Sequence, residues 1–192
     1  MGQKGDVLHN PRRRERVLLL NTAAETGGER LEMLVTQEPT SARMPVHFHP
    51  RQRETFTIRS GALTYVLGSA QPRIAHTGET VAVEPGVRHT WWNDGPENVE
   101  MLGVIEPAGR WLEFMETIYG LTNEGKVSAR GIPNPLQMAV VAWEFRQEWV
   151  PTAVPAPVRL LVLPILAALG RLFGYRPTYA RYSDHASALA SL

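Results

Sequence analysis

The residues best suited to chemistry lie in the run Pro45-Val46-His47-Phe48-His49-Pro50-Arg51-Gln52-Arg53-Glu54. On a β-strand alternate side chains share a face, so His47 and His49 point the same way. Two imidazoles side by side can offer nitrogens to one ion at about 2.0–2.1 Å. The stretch from Pro50 to Arg53 reads as a turn that returns Glu54 on the paired strand, close to both histidines. A second block runs from Gly78 through Glu84-Pro85-Gly86-Val87-Arg88-His89 into Thr90-Trp91-Trp92-Asn93. It reads as a strand ending in a tight Pro-Gly turn with His89 just beyond. The chain contains no cysteine, so a metal site has only histidine and carboxylate ligands to draw on. His9, His76 and His185 fit no such pattern, and His76 falls in the hairpin between the two blocks.

The elements that must position these groups change character along the chain. From about Arg16 to Glu106 short β-prone runs alternate with turn residues: Val17 to Asn21, Leu31 to Gln37, Glu54 to Arg59, Leu63 to Leu67, Val81 to Val83 and Val99 to Ile105. Many short strands with frequent turn signals predict a sandwich, jelly roll or barrel. After Pro107 the period becomes helical. Trp111, Leu112, Met115, Ile118 and Tyr119 form one apolar stripe, and Leu136, Val140 and Trp143 form another behind an Asn134-Pro135 helix start. A third apolar run, Val158 to Phe173, is interrupted by Pro164, which should kink it. The layout is an N-terminal arm (1–15), a β-barrel (16–107) and a C-terminal helical extension (108–192) whose tail from Ser183 onward is expected to fray.

The two blocks resemble the motifs of the cupins. The first cupin motif, Gly-x5-His-x-His-x3–4-Glu-x6-Gly, is met by His47, His49, Glu54 and Gly61. The second, Gly-x5-Pro-x-Gly-x2-His-x3-Asn, is met by Gly78, Gly86, His89 and Asn93. Ser41 stands where the first motif opens with Gly, and Glu84 stands where the second has Pro, with Pro85 one place later. Both departures fall at turn positions and leave the ligand positions intact. The resemblance covers Ser41 to Asn93 in its motifs. It implies a mainly β fold, a cupin-type jelly-roll barrel followed by two or three α-helices. It also implies one divalent transition metal (Fe, Mn, Ni or Zn) held by His47, His49, Glu54 and His89.

Three neutral imidazoles and one carboxylate would leave a divalent ion with a net charge of about +1 and open positions. Such a centre can polarise a carbonyl, stabilise an enolate-like anion or, with iron, handle dioxygen. Counting alternation outward from the ligands predicts a pocket lined by Phe56, Ile58, Leu63, Leu67 and Trp91. Tyr65 is its one polar handle and the candidate proton or hydrogen-bond donor. Arg43, Arg51, Arg53, Arg59 and Arg88 belong at the rim or outside. The lining therefore suits a mainly apolar or aromatic small molecule, although the same residues would also serve as plain barrel core.

Composition narrows the remaining classes. Twenty basic and nineteen acidic side chains give a net charge of +1, which gives no reason to expect nucleic acid as a partner. The polar start, Met1 to Asn10, lacks the apolar core of a secretory signal, and a cytoplasmic setting is expected. Between Arg159 and Arg171 the uncharged run is 11 residues, short of the ~20 that span a bilayer. That run is read as a helix packed on the barrel or on a second subunit in preference to one lying on a membrane surface, and a homodimer is expected. The Arg12-Arg13-Arg14-Glu15-Arg16 run is read as a solvated arm, and Trp111, Trp143 and Trp149 as packing residues. No helix-turn-helix, phosphate-cradling glycine loop or nucleophile triad is present. Two functions stay open: a metal-dependent enzyme, such as an oxygenase, isomerase or lyase, and a non-catalytic binding or sensing module whose C-terminal helices dimerise it.

Overall fold

The computed structural model describes residues 2–40 and 42–183; Ser41, His185 and most of the expected frayed tail lie outside them. Eleven strands fall into two sheets. The strands are β1 (Val7–Asn10), β2 (Glu15–Asn21), β3 (Leu31–Gln37), β4 (His47–Phe48), β5 (Arg53–Ser60), β6 (Ala62–Leu67), β7 (Arg73–His76), β8 (Thr80–Val83), β9 (His89–Trp92), β10 (Val99–Glu106) and β11 (Val150–Pro151). One sheet has the order β1-β2-β3-β10-β5-β8 and the other β11-β4-β9-β6-β7. All the pairings are antiparallel. Strict alternation of buried and half-exposed residues along β3 and β10 turns one face of the large sheet inward. There Val17, Leu19, Met33, Phe56, Ile58 and Met101 share a core with Leu63, Tyr65, Ala75 and Trp91 of the smaller sheet. Two antiparallel sheets closed over one core make the expected jelly roll.

Among the described residues four α-helices follow the main barrel strands: α1 (Trp111–Asn123), α2 (Pro135–Glu144), α3 (Ala156–Leu161) and α4 (Leu163–Leu172). The side chain of Asn134 accepts from Leu136 N at 2.9 Å and caps α2, with Pro135 inside the first turn. The inward face of α2 differs from the expected stripe. Gln137, Ala139, Val140, Val141 and Ala142 are buried, whereas Leu136 and Trp143 are only half buried. The run from Val158 to Phe173 breaks into α3 and α4 at Val162, because Pro164 has no N–H to donate to the carbonyl of Leu160 and its ring crowds that turn. That run touches the rest of the fold only lightly: Leu163 is partly buried against the core, and Arg159 stands 5.9 Å from the ring of Phe48 on β4. α3 buries no side chain, and α4 buries only Ala167 and Gly170, the latter against Val140 and Leu136 of α2.

Two further expectations are corrected. Residues 7–10, within the expected N-terminal arm, form a strand paired with β2, Leu8 lying opposite Val17 and 3% exposed. The arginine-rich run forms the connecting turn, and Arg13 is drawn inward. It pairs with buried Glu15 at 2.7 Å and stands 4.6 Å from the ring of Trp91. The second correction concerns Glu54. β4 and β5 do not form a hairpin but belong to different sheets, so the short Pro50–Gln52 connection carries the chain across the barrel mouth. The ligands meet because the two sheets face each other there.

Candidate metal centre

His47 and His89 lie directly opposite each other on β4 and β9. His49 follows the end of β4, and Glu54 enters on β5 between Val83 and Ile105 of its neighbours. Two glycine turns aim these segments. Gly61 turns β5 into β6 with φ +78°, and a Cβ there would lie 2.5 Å from the carbonyl oxygen of Asn98. The Glu84-Pro85-Gly86-Val87 turn closes with Val87 N donating to Glu84 O at 3.1 Å. Pro at its second position and Gly86 with φ +79° at its third fit a type II turn. The displaced proline thus leaves the turn intact, and Gly86 N donates to His49 O at 2.8 Å. Asn93 is wholly structural: it donates to Gln37 O and Glu97 O and accepts from Gly95 N.

All four candidate ligands are buried, and their ligand atoms lie within 4.8 Å of one another. Each imidazole is oriented by its Nδ1–H, which donates to a backbone carbonyl: His47 to Pro45 at 2.8 Å, His49 to Glu148 at 2.6 Å, His89 to Val87 at 3.0 Å. Such bonds fix the tautomer that keeps the Nε2 lone pair free for a metal. The three Nε2 atoms and Glu54 Oε2 have no hydrogen-bond partner. Glu54 Oε2 lies 2.9 Å from His89 Nε2 and 3.4 Å from His49 Nε2, without the alignment of a hydrogen bond. Four buried acceptors aimed at one point, each carrying the cost of an unsatisfied polar group, fit a cation.

The electrostatics of the site agree with that reading. Burial pushes the His47 pKa well below the ordinary imidazole value, and His89 and His49 add to the effect. Burial alone would raise Glu54, but the facing imidazoles of His49 and His89 outweigh it and hold the carboxyl well below its ordinary range. For His89 burial also disfavours charge, yet Glu54 prevails and raises the pKa. The carboxylate of Glu54 thus favours positive charge at the point where the four groups meet.

The extension beyond the barrel closes the site, a role that the helical spacing of its aromatics does not reveal. Trp111 meets His49 edge-on with ring centroids 4.7 Å apart and lies parallel to His47 at 6.4 Å. Trp149 is 6.0 Å from His47, and Phe114 fills the space between the two tryptophans at 5.1 and 5.3 Å. β11 pairs with β4, placing Val150 opposite Phe48 and Pro151 opposite His47. Gln52, 2% exposed, donates to Pro107 O and Ala108 O and ties the ligand loop to the start of α1. Of the five residues expected to line the pocket, Phe56, Ile58, Leu63 and Trp91 are buried and Leu67 is partly buried beside His89. Tyr65 lies two positions along β6, opposite Trp91. His76, His9 and the five rim arginines are exposed and stand apart from the centre.

Comparison with known proteins places this geometry in context. Residues 33–105 match the family described as "Cupin domain". A probable oxidoreductase (virH) of Hypocrea virens is 25% identical over 72% of this chain and 67% of its own length. An oxidoreductase of Arthrobotrys oligospora is 24% identical over 88% and 69%. A Klebsiella pneumoniae protein with a double-stranded β-helix domain resembles 43% of this chain and 70% of its own, with 24% identity and a TM-score of 0.40. The two spaced motifs, the jelly roll that carries them and the family match over that region mark residues 33–105 as a cupin domain.

Proposed function

We propose that the protein is a metal-dependent oxidoreductase acting on a mainly apolar or aromatic small molecule. The observation that carries this reading is the convergence of three tautomer-fixed imidazoles and one carboxylate beneath an aromatic wall. Both curated relatives bear the name oxidoreductase, which supports the reaction class. A divalent transition metal in this donor set supplies Lewis-acid chemistry or, if it is iron or another redox ion, electron transfer.

The chain's own residues do the rest. His47, His49, Glu54 and His89 provide the donors, and the carbonyls of Pro45, Glu148 and Val87 hold the rings in register. Trp111, Phe114 and Trp149 exclude water from one side of the centre, which strengthens every electrostatic interaction within it. The apolar row Phe56, Ile58, Leu63, Leu67 and Trp91 binds the substrate body. Tyr65 donates a hydrogen bond to its polar end; Tyr65→Phe is expected to keep the metal while lowering turnover.

The test is elemental analysis of protein purified without chelator or a histidine tag, beside His47→Ala. About one equivalent of a single transition metal, absent from the variant, is the expected result. It is followed by oxygen-consumption and redox assays of the loaded protein with a panel of aromatic substrates. Failure to take up any of Fe, Mn, Ni or Zn on reconstitution would overturn the reading.

A further inference from the structure

The outer face of α3 and α4 inverts the arrangement expected of a helix in water. Small residues point inward: Ala167 and Gly170 are the buried positions of α4. A Cβ on Gly170 would lie 2.7 Å from Val140 Cγ2 and 2.8 Å from Leu136 O, so only glycine allows this approach. Large apolar side chains point outward. Leu160, Leu161, Ile165, Leu172 and Phe173 are each at least 68% exposed. Leu161, Ile165, Leu169 and Leu172 follow one another at helical spacing and so form one stripe. Among the described residues, eight of the eleven exposed large apolar side chains lie between Val158 and Phe173, so the exposure is a continuous patch rather than scatter.

The charge around the patch has one sign. From Val150 to Ser183 the sequence contains Arg159, Arg171, Arg176 and Arg181 and no acidic residue. Arg171 and Arg181 are neutralised by Glu144 and Glu124, at 2.9 and 2.6 Å. Arg159 donates to the carbonyls of Val154 and Pro151, which orient it without cancelling its charge. Arg176 is exposed, and no carboxylate lies within salt-bridge distance of it among the described residues. Two copies pairing through this face in a symmetric dimer would bring uncompensated arginines towards one another. An anionic surface would neutralise them.

We propose that the α3–α4 face is a docking surface for an anionic lipid bilayer. The stripe enters the boundary between headgroups and acyl chains, and Arg159 and Arg176 lie at headgroup level. No helix among the described residues is long and apolar enough to cross a membrane, so the contact is with the surface of the bilayer. The proposal does not depend on the metal or on the reaction.

Vesicle flotation of the full chain tests it, with phosphatidylcholine vesicles compared with phosphatidylcholine–phosphatidylserine vesicles. The protein is expected to float with the anionic vesicles, about tenfold less with neutral vesicles or in high salt. Leu161→Asp/Ile165→Asp should lower binding at least about tenfold, because two apolar side chains that would enter the bilayer become charged. Arg176→Gln should lower it about fivefold. Because these positions are exposed, circular dichroism and melting temperature should stay at wild-type values. Absence of flotation, or equal flotation with both vesicle types, overturns the proposal. So does a stable dimer in sedimentation that Leu161→Asp/Ile165→Asp dissociates, since a second copy then occupies the face.

Discussion

If the centre is built for a cation, its ligands should stabilise the loaded protein at the expense of the empty one, and His47→Leu separates the two effects. His47 is 1% exposed and neutral near pH 7, because burial and its histidine neighbours push its pKa down. Its Nε2 has no partner, a state that costs about 1–3 kcal/mol, and leucine removes that acceptor. Leucine also removes the bond from Nδ1 to Pro45 O, worth about 0.5–1.5 kcal/mol. The metal-free variant should therefore be at least about as stable as metal-free wild type, and by up to ~2 kcal/mol more so. For a chain of this size that is a melting temperature between unchanged and about 8 °C higher. Metal at 100 times its dissociation constant stabilises the wild type by about 2.7 kcal/mol. The corresponding rise is about 5–11 °C, and the variant should show almost none of it. Thermal melts of chelated and reconstituted samples read both numbers. A metal-free variant that melts far below wild type, or one stabilised equally by the ion, would refute the argument that the site stores unsatisfied acceptors for a cation.

Three other outcomes follow from the same geometry. In the chelated protein His89, with its pKa raised above 6.5, contributes stability that is full below that value and lost as pH rises through the folded-state pKa. Glu54, depressed from 4.5, contributes stability present above that value and lost on acidification. His47, whose pKa is pushed well below 6.5, adds stability that is present above 6.5 and lost as pH falls below it. Melts across pH should thus peak near the ordinary histidine value, and bound metal, which needs deprotonated ligands, should move the peak upward. Trp111→Ala should cost about 3–5 kcal/mol in urea unfolding, since the ring is 4% exposed, yet leave about one equivalent of metal by elemental analysis. Loss of the metal would show that Trp111 positions His49. Truncation after Phe145 removes the Glu148 carbonyl that orients His49, and competition with a chromogenic chelator should show affinity about 10–100-fold weaker; unchanged affinity would refute the role of that carbonyl.

The clustering of His47, His49, Glu54 and His89 was legible in the sequence because a metal site would need particular side chains at particular intervals, and these four keep them. Strands such as Leu31–Gln37 were legible because one buried face imposes a period of two. The two-residue strands β4 and β11 are too short to show a period. The placement of Glu54 was misjudged because a short, turn-rich connection fits a hairpin as well as a crossing between sheets, and only long-range pairing decides between them. Arg13 was read as solvated from its charged neighbours; its burial depends on Glu15 and Trp91, the latter 78 positions away.

The least legible part of the centre is the part contributed by the main chain. The bond that fixes His49 comes from the carbonyl of Glu148, and every residue has a carbonyl, so no residue type marks the position. β11 likewise joins β4 through backbone groups, and it places Trp149 beside His47 as a consequence. The family match ends at residue 105, before any of these groups. The barrel alone presents the four candidate ligands, but the segment from Trp111 to Pro151 supplies one of the three tautomer-fixing bonds, an edge strand against β4 and the aromatic wall. A general jelly roll thereby acquires a centre of its own: the donors come from the barrel, and the environment that sets their protonation and access comes from the extension.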